Sequence, residues 1–445
     1  MRAAAIVLAL AGSAAVALSL RPAAAPSVAT TPRFEPAPST SRDDLQATIA
    51  AARSRLARAP GDAAAAASLA DALLRLARVE SAAAHAVEAE RVLQQVLRSE
   101  PGEYTALRML GAVYLSQHRF REAAAAAERA RALRPDDAWN YGVLGDASLE
   151  LGDYERAFAA FDTMTRLRPD AASYARVAYA HELQGRLDEA IAAMRLAIEA
   201  TGAQDPESLA WHHAQLGHLY LETGDVDAAA HEYARADFVF AGHPYARAGL
   251  ARIALARGDL GAALQAYRAL LAEAPSPEIA ATTGDLLAAV GDSAGAQALY
   301  ARAAALEREG WEDEEPQPAA LAAMLAERGL EIGEAVALAE RAARLRSDIH
   351  TMDALALAYF RAGRLDEAAD AAARALRTGT RSRRVLYHAA AVAHARGRDD
   401  EARGLLARMP DGPVPEPLVA DGLARLKARL QAAGGTRQEG EVPDV

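Results

Sequence analysis

Cysteine is absent from this 445-residue chain, which removes disulfides, thiolate metal sites, thiol nucleophiles and lipid attachment through an N-terminal cysteine. Aromatic residues are scarce, at 5%, while alanine is abundant. Strands favour aromatic and β-branched side chains and helices favour alanine, so several ordinary sheet domains are excluded and an all-helical chain is expected. Lysine is nearly missing, since Lys427 alone among the 49 Lys+Arg residues is lysine. Together with the alanine excess this reads as GC-rich coding, so arginine number by itself carries no functional weight. Basic charge is also short: the net charge is −11 and the acidic residues are dispersed. No basic face is offered to a phosphate backbone, which argues against nucleic acid as a partner.

What is present begins with Met1-Arg2 and an apolar or small run from Ala3 to Leu20, followed by Arg21-Pro22 and Ala23-Ala24-Ala25. Residues 1–29 read as a secretory signal peptide, with Ser27-Val28-Ala29 as a second small-residue cleavage site. The alternative is an uncleaved membrane anchor, because the run reaches the lower edge of spanning length. Pro22, Pro26, Pro32, Pro36 and Pro38 prevent a helix from continuing, so residues 30–42 read as a linker. A periplasmic or secreted protein follows, with attachment to the inner membrane as the alternative.

From Asp43 onward the chain repeats itself, and Pro101, Pro135 and Pro169 recur every 34 residues. Between them Leu107, Leu110, Gly111 and Tyr114 precede Ala123 and Ala130. The next unit has Tyr141, Leu144 and Gly145 before Gly152, Ala157 and Phe161. Apolar residues recur at three- and four-residue intervals in both halves of a unit, with a Gly-Asp or Gly-Arg pair between them, so each unit reads as two amphipathic helices. The same turn returns as Gly185 to Ala190, Gly224 to Ala229, Gly258 to Ala263, Gly291 to Ala296, Gly363 to Ala368 and Gly397 to Ala402. In each, glycine ends the first helix and alanine sits where the two helices cross.

This pattern resembles the tetratricopeptide repeat (TPR) family. The resemblance implies an all-α, right-handed superhelical solenoid of about ten or eleven helix-turn-helix units over residues 43–410. A break near residues 310–317, at Gly-Trp-Glu-Asp-Glu-Glu-Pro-Gln, is followed by an irregular unit in which Gly329 and Ala335 are six apart. A capping helix is expected within residues 411–433 and a disordered tail over 434–445.

In this family the first helices of successive units line the concave surface. The groove set implied by the resemblance is Arg108, Trp139, Asp146, Arg176, Tyr179, Trp211, Gln215, His218, Tyr245, Arg252, His350, Asp353, Tyr387 and His388. Aromatic rings and arginine dominate many binding interfaces, although rings at such positions also pack between units. Ala112, Ala175 and Ala214 stand where family members that clamp a peptide carboxylate carry lysine or asparagine, which argues against chaperone-type C-terminal tails as ligands.

His212, His213 and His218 lack the i, i+4 spacing of a zinc grip, and Asp348 before His350 and Asp353 reads as a helix cap. Glu312-Asp313-Glu314-Glu315 lacks the alternation of a calcium loop. No metal or other cofactor is expected, and no nucleophile elbow, phosphate loop or carboxylate pair on a recognisable scaffold is present. The expectation is a non-catalytic protein- or peptide-binding scaffold or assembly adaptor of the bacterial cell envelope. A membrane-anchored subunit of an envelope or secretion complex is the variant of that reading. A metal-dependent or carbohydrate-active enzyme using groove tryptophan and histidine is the alternative of another class.

Overall fold

The computed structural model describes residues 42–80, 84–202, 204–309 and 318–438. The signal or anchor, most of the linker and the interruption at 310–317 lie outside the described residues. Twenty-two helices and no strand are found among those described. They are α1 (Arg42–Arg58), α2 (Ala63–Glu80), α3 (Ala84–Ser99), α4 (Tyr104–Ser116), α5 (Phe120–Leu133), α6 (Ala138–Leu151), α7 (Tyr154–Leu167), α8 (Ala171–Leu183), α9 (Leu187–Ala200), α10 (Pro206–Thr223) and α11 (Val226–Val239). There follow α12 (Pro244–Ala256), α13 (Leu260–Glu273), α14 (Pro277–Ala289), α15 (Ser293–Glu309), α16 (Pro318–Arg328), α17 (Ile332–Leu345), α18 (Ile349–Arg361), α19 (Leu365–Ala375), α20 (Arg383–Ala395), α21 (Asp399–Ala407) and α22 (Pro417–Gln438).

From α2–α3 to α20–α21 these form ten antiparallel pairs, with α1 before them and α22 packed on α20 after them. Asp137, Asp153, Asp170, Asp205, Asp225 and Asp259 each accept a hydrogen bond at a helix start. The mid-unit turn is built as its sequence requires, with Gly152 at φ 82° and Gly224 at φ 88°, backbone that glycine adopts without strain. The crossing alanines Ala157, Ala190, Ala229, Ala263, Ala368 and Ala402 are fully buried. A large residue from the second helix of each pair fills the space left by small residues on the first. A Cβ on Gly145 would run into the Phe161 ring, and one on Gly284 into Tyr300, while Tyr233 of α11 also closes on Gly249 of the following unit.

The irregular unit is a genuine helix pair, α16 packed on α17. The sixth residue of its Gly-to-Ala spacing is absorbed by Glu331, which takes a left-handed conformation at φ 41°. The expected end of the capping helix is corrected: α22 runs on through Gln438, so residues 434–438 are helical and only 439–445 lie outside the described residues.

The array also folds back on itself along a seam. Loops between later units meet the mid-unit turns of earlier ones. The Ser347 amide donates to Leu151 O at 3.2 Å, and the Ile349 amide donates to the Tyr154 hydroxyl at 2.8 Å. Arg377 Nη2 donates to Gly152 O at 2.8 Å and Ser347 O at 2.7 Å. Arg346 pairs with Glu150 across 196 residues of sequence. One step along, Gly379 lies against Gly185, whose absent side chain makes room for the Gly379 carbonyl. At the end of the seam Arg383 is 4% exposed and donates to Leu221 O at 3.0 Å, Asp411 O at 2.6 Å and Pro410 O at 3.3 Å. A guanidinium buried among carbonyls is tolerable because each of its three nitrogens donates to a carbonyl.

Candidate functional site

The first helices of the pairs face inward, and where the later units curl back they bound a partly enclosed chamber of about 760 Å³. Its walls come from α8, α10, α12, α14, α16, α18 and α20, and from the proline-rich segment that leads into α22. The repeat places one polar residue per unit in a row along one wall. Glu182 Oε1 lies 3.2 Å from His218 Nε2, and His218 Nδ1 lies 3.3 Å from Arg252 Nη1. Arg252 Nη2 then donates to Glu416 Oε1 at 2.8 Å. With Arg252 donating to Nδ1, the imidazole donates from Nε2 to Glu182, a relay that joins α8, α10, α12 and the segment before α22.

The opposite wall carries Asp285 and Arg328 in a bidentate pair, 3.0 Å for Nε to Oδ1 and 2.6 Å for Nη2 to Oδ2. The Tyr300 hydroxyl donates to the same Asp285 Oδ1. Burial pushes the Asp285 carboxyl above its usual range, although Arg328 opposes it. His350 stands at the start of α18 beside its cap, Asp348, which accepts from the amides of His350 and Thr351. Burial, reinforced by Arg384, holds the His350 imidazole below its usual pKa and keeps it neutral near pH 7.

Of the fourteen groove positions expected from the sequence, His218, Arg252 and His350 line this chamber. The others are placed elsewhere. Trp139 packs between units, its Nε1 donating to Arg108 O at 3.2 Å and its ring lying under the Arg108 guanidinium. Asp146 and Arg176 pair across neighbouring units at 2.7 Å. Tyr179 packs in the core around Phe161, and Trp211 packs beside the core of α8 and α9. Asp353 and His388 form a buried pair at 2.9 Å behind the chamber wall, and Tyr387 packs against Gly422 of α22. Gln215 is half-buried and Tyr245 is 50% exposed, neither among the chamber residues. The remaining histidines named as metal candidates are engaged locally, His212 with Thr201 and His213 with Glu232.

Sequence reasoning missed Glu182, Glu222, Glu278, Arg384 and Glu416. A signal for the first two existed. Glu222 follows His218 by one helical turn, and Glu182 precedes it by 36 residues, close to one repeat. Glu416 carried none, since the fold-back alone brings it to Arg252.

The tetratricopeptide repeat profile matches residues 87–138, 143–206, 215–276 and 354–413, more than half of the chain. The chain belongs to the tetratricopeptide repeat family. TPR arrays serve in general as non-catalytic protein-binding scaffolds. The stretch between the last two matches, residues 277–353, contains α14–α17 and the irregular unit. Among solved structures, the TPR chain is similar to a thermophilic TPR protein of Thermus thermophilus, at 22% identity over 45% of this chain and 99% of that one, TM-score 0.34. It is also similar to a TPR protein of Parabacteroides merdae, at 16% identity over 55% and 96%, TM-score 0.39. The human IFIT1 dimer with PPP-AAAA is similar at 17% identity over 71% and 73%, TM-score 0.45. No curated protein matches the chain.

Proposed function

We propose that this TPR protein is a non-catalytic binding scaffold or adaptor of the bacterial cell envelope that receives part of a protein partner in the chamber on its concave side. The observation that carries the reading is the convergence of inward residues from seven first helices on one space of about 760 Å³, large enough for several side chains. His350 supports it, because its imidazole faces the chamber with no hydrogen bond to any described residue. The envelope location rests on the run Ala3 to Leu20 and the small residues that follow it.

Crosslinking pull-downs from the native periplasm with wild-type and His350→Trp baits test the reading. Tryptophan at this position fills the chamber without removing an ion pair, so a chamber-bound partner is lost from the variant. Recovery of the same proteins by both baits sinks the proposal. Carbonate extraction of native membranes tests the location: release of the protein favours the exported form, and retention in the pellet favours the anchor.

A further inference from the structure

One wall of the chamber is not a helix. Between α21 and α22 the chain passes through residues 411–416, and Pro415 and Glu416 line the chamber itself. Pro413, Pro415 and Pro417 fix their own backbone and push Val414 and Glu416 away from the helical region, so residues 413–416 stay extended.

The rest of the array holds this stretch as it would hold a separate extended peptide. Arg383 of α20 donates to the carbonyls of Pro410 and Asp411. The Asp411 carbonyl and Gly412 lie directly on Gly224, where any side chain would exclude them. Arg252 of α12 takes the one carboxylate, Glu416, at 2.8 Å. These contacts are polar and partly open to water: Asp411 and Gly412 are exposed, and the Glu416 side chain is 42% exposed. The other end of the seam is anchored differently. There Ile349 is fully buried in a cluster with Leu149, Phe161, Ala180 and Leu183.

α22 is held separately, because Leu426 and Leu430 belong to the same core cluster as Leu386 of α20. The stretch before it can therefore leave the wall while the helix stays docked. Proline makes the exchange inexpensive in both directions, since it brings no amide bond to break and regains little freedom on release. When Glu416 departs, Arg252 keeps its contact with His218 but loses its carboxylate, and an incoming carboxylate restores the pair with no net change of charge.

We propose that residues 411–416 are an autoinhibitory strap, held by Arg252 and Arg383 in the place of an extended partner segment that carries a carboxylate, and that the partner reaches the chamber by displacing it. The proposal rests on the reading of the chamber as the partner's site.

Because the chain has no cysteine, Thr282→Cys puts a single thiol on the half-buried α14 wall of the chamber. Its labelling is followed on the full chain with a small reagent, methyl methanethiosulfonate, and a bulky one, fluorescein maleimide. Glu416→Ala in this background removes the ion pair of the strap and should speed bulky labelling about three- to tenfold, the scale of a partly exposed pair. Pro413→Gly/Pro415→Gly keeps every polar contact but loosens the backbone, and should speed it about four- to thirtyfold. The small reagent should react at nearly the same rate in all three chains, and cooperative thermal melting shows that each variant folds. Unlabelled peptide Asp-Gly-Pro-Val-Pro-Glu-Pro at millimolar concentration should slow bulky labelling of the loosened chains. Its glutamine-for-glutamate counterpart should need about tenfold more.

The proposal is overturned if bulky labelling is equally fast with and without the substitutions, if the peptide gives no protection, or if the glutamine peptide protects as well. These rates are read without a partner, so such a result leaves the His350→Trp test of the chamber intact. A partner retained by the His350→Trp bait, with the labelling as expected, removes the chamber as that partner's site and leaves the strap as a gate.

Discussion

Replacing Arg383 by methionine is expected to open the end of the seam while leaving the helix pairs folded. The methionine keeps most of the buried volume but removes the guanidinium's hydrogen bonds to the carbonyls of Leu221 and Asp411, at 3.0 and 2.6 Å, leaving Leu221 O with the Gly224 amide alone. Loss of two good hydrogen bonds from a charged donor costs about 3–6 kcal/mol gross. Burial of the guanidinium itself works against the wild type, as shown by the lowering of its pKa. A net loss of about 2–4 kcal/mol at the seam remains.

Because repeat arrays are held together mainly by contacts between neighbours, this loss appears as local opening and leaves global unfolding little changed. Hydrogen exchange read at the amides of residues 221–225 and 411–412 should therefore accelerate by about thirty- to a thousandfold, with protection inside α18 and α20 little altered. Arg383→Lys keeps the charge without the planar fork and should fall between the two. Unchanged exchange on both sides of the contact in Arg383→Met would refute the claim that this side chain holds the seam.

Three further outcomes follow from the packing and the buried charges. Ala229→Leu introduces a branched side chain where the native residue is fully buried at a helix crossing, and should cost at least about 1–3 kcal/mol in chemical denaturation; a neutral result would show that the crossing is not tight. Burial disfavours the Asp353 carboxylate, but His388 and Arg384 outweigh it and lower its pKa. Its contribution to stability is thus present above the ordinary aspartate pKa and is lost as pH falls below it, and His388→Ala should cost about 1–3 kcal/mol at neutral pH by leaving the carboxylate to Arg384 alone at 3.6 Å. Melting of His388→Ala as high as wild type contradicts this. Burial, together with Asp348 and Asp146, raises the Glu150 carboxyl to about 7 despite Arg346. The folded protein therefore keeps a proton that the unfolded chain releases near pH 4, and the seam loses stability as pH rises from about 4 through 7. Glu150→Gln should flatten this dependence, and an identical pH profile in the variant would exclude Glu150 as its source.

The helix pairs were legible because the repeat is a local pattern. Glycine at 152 and 224, alanine at 157 and 229, and the large residue four positions later determine one unit without reference to distant sequence. The inward face was legible only in part. Trp211 lies on α10, a chamber wall, and Trp139 on α6, which contributes no chamber residue; both rings turn into the contact between units, because burial of an indole against a neighbour is available at every step of the array. Glu416 and Arg383 were not legible, since what they contact is determined by the curvature accumulated over several units. The end of α22 lies beyond the expected boundary at residue 433, because the helix continues through Gly434 and Gly435 to Gln438.

The seam also bears on the order in which the protein folds. In an open solenoid each unit needs only the one before it, so structure propagates along the chain and the mean sequence separation of contacts stays low. Here the mid-unit turn at Gly152 finds its partner at Ser347, and the Tyr154 hydroxyl finds the Ile349 amide 195 residues further on. The helix pairs can form early, but these contacts wait until both arms of the array are complete. A two-phase refolding trace follows, with helical signal returning first and protection of the 151–154 turn returning later. Truncation after α17 abolishes the second phase alone.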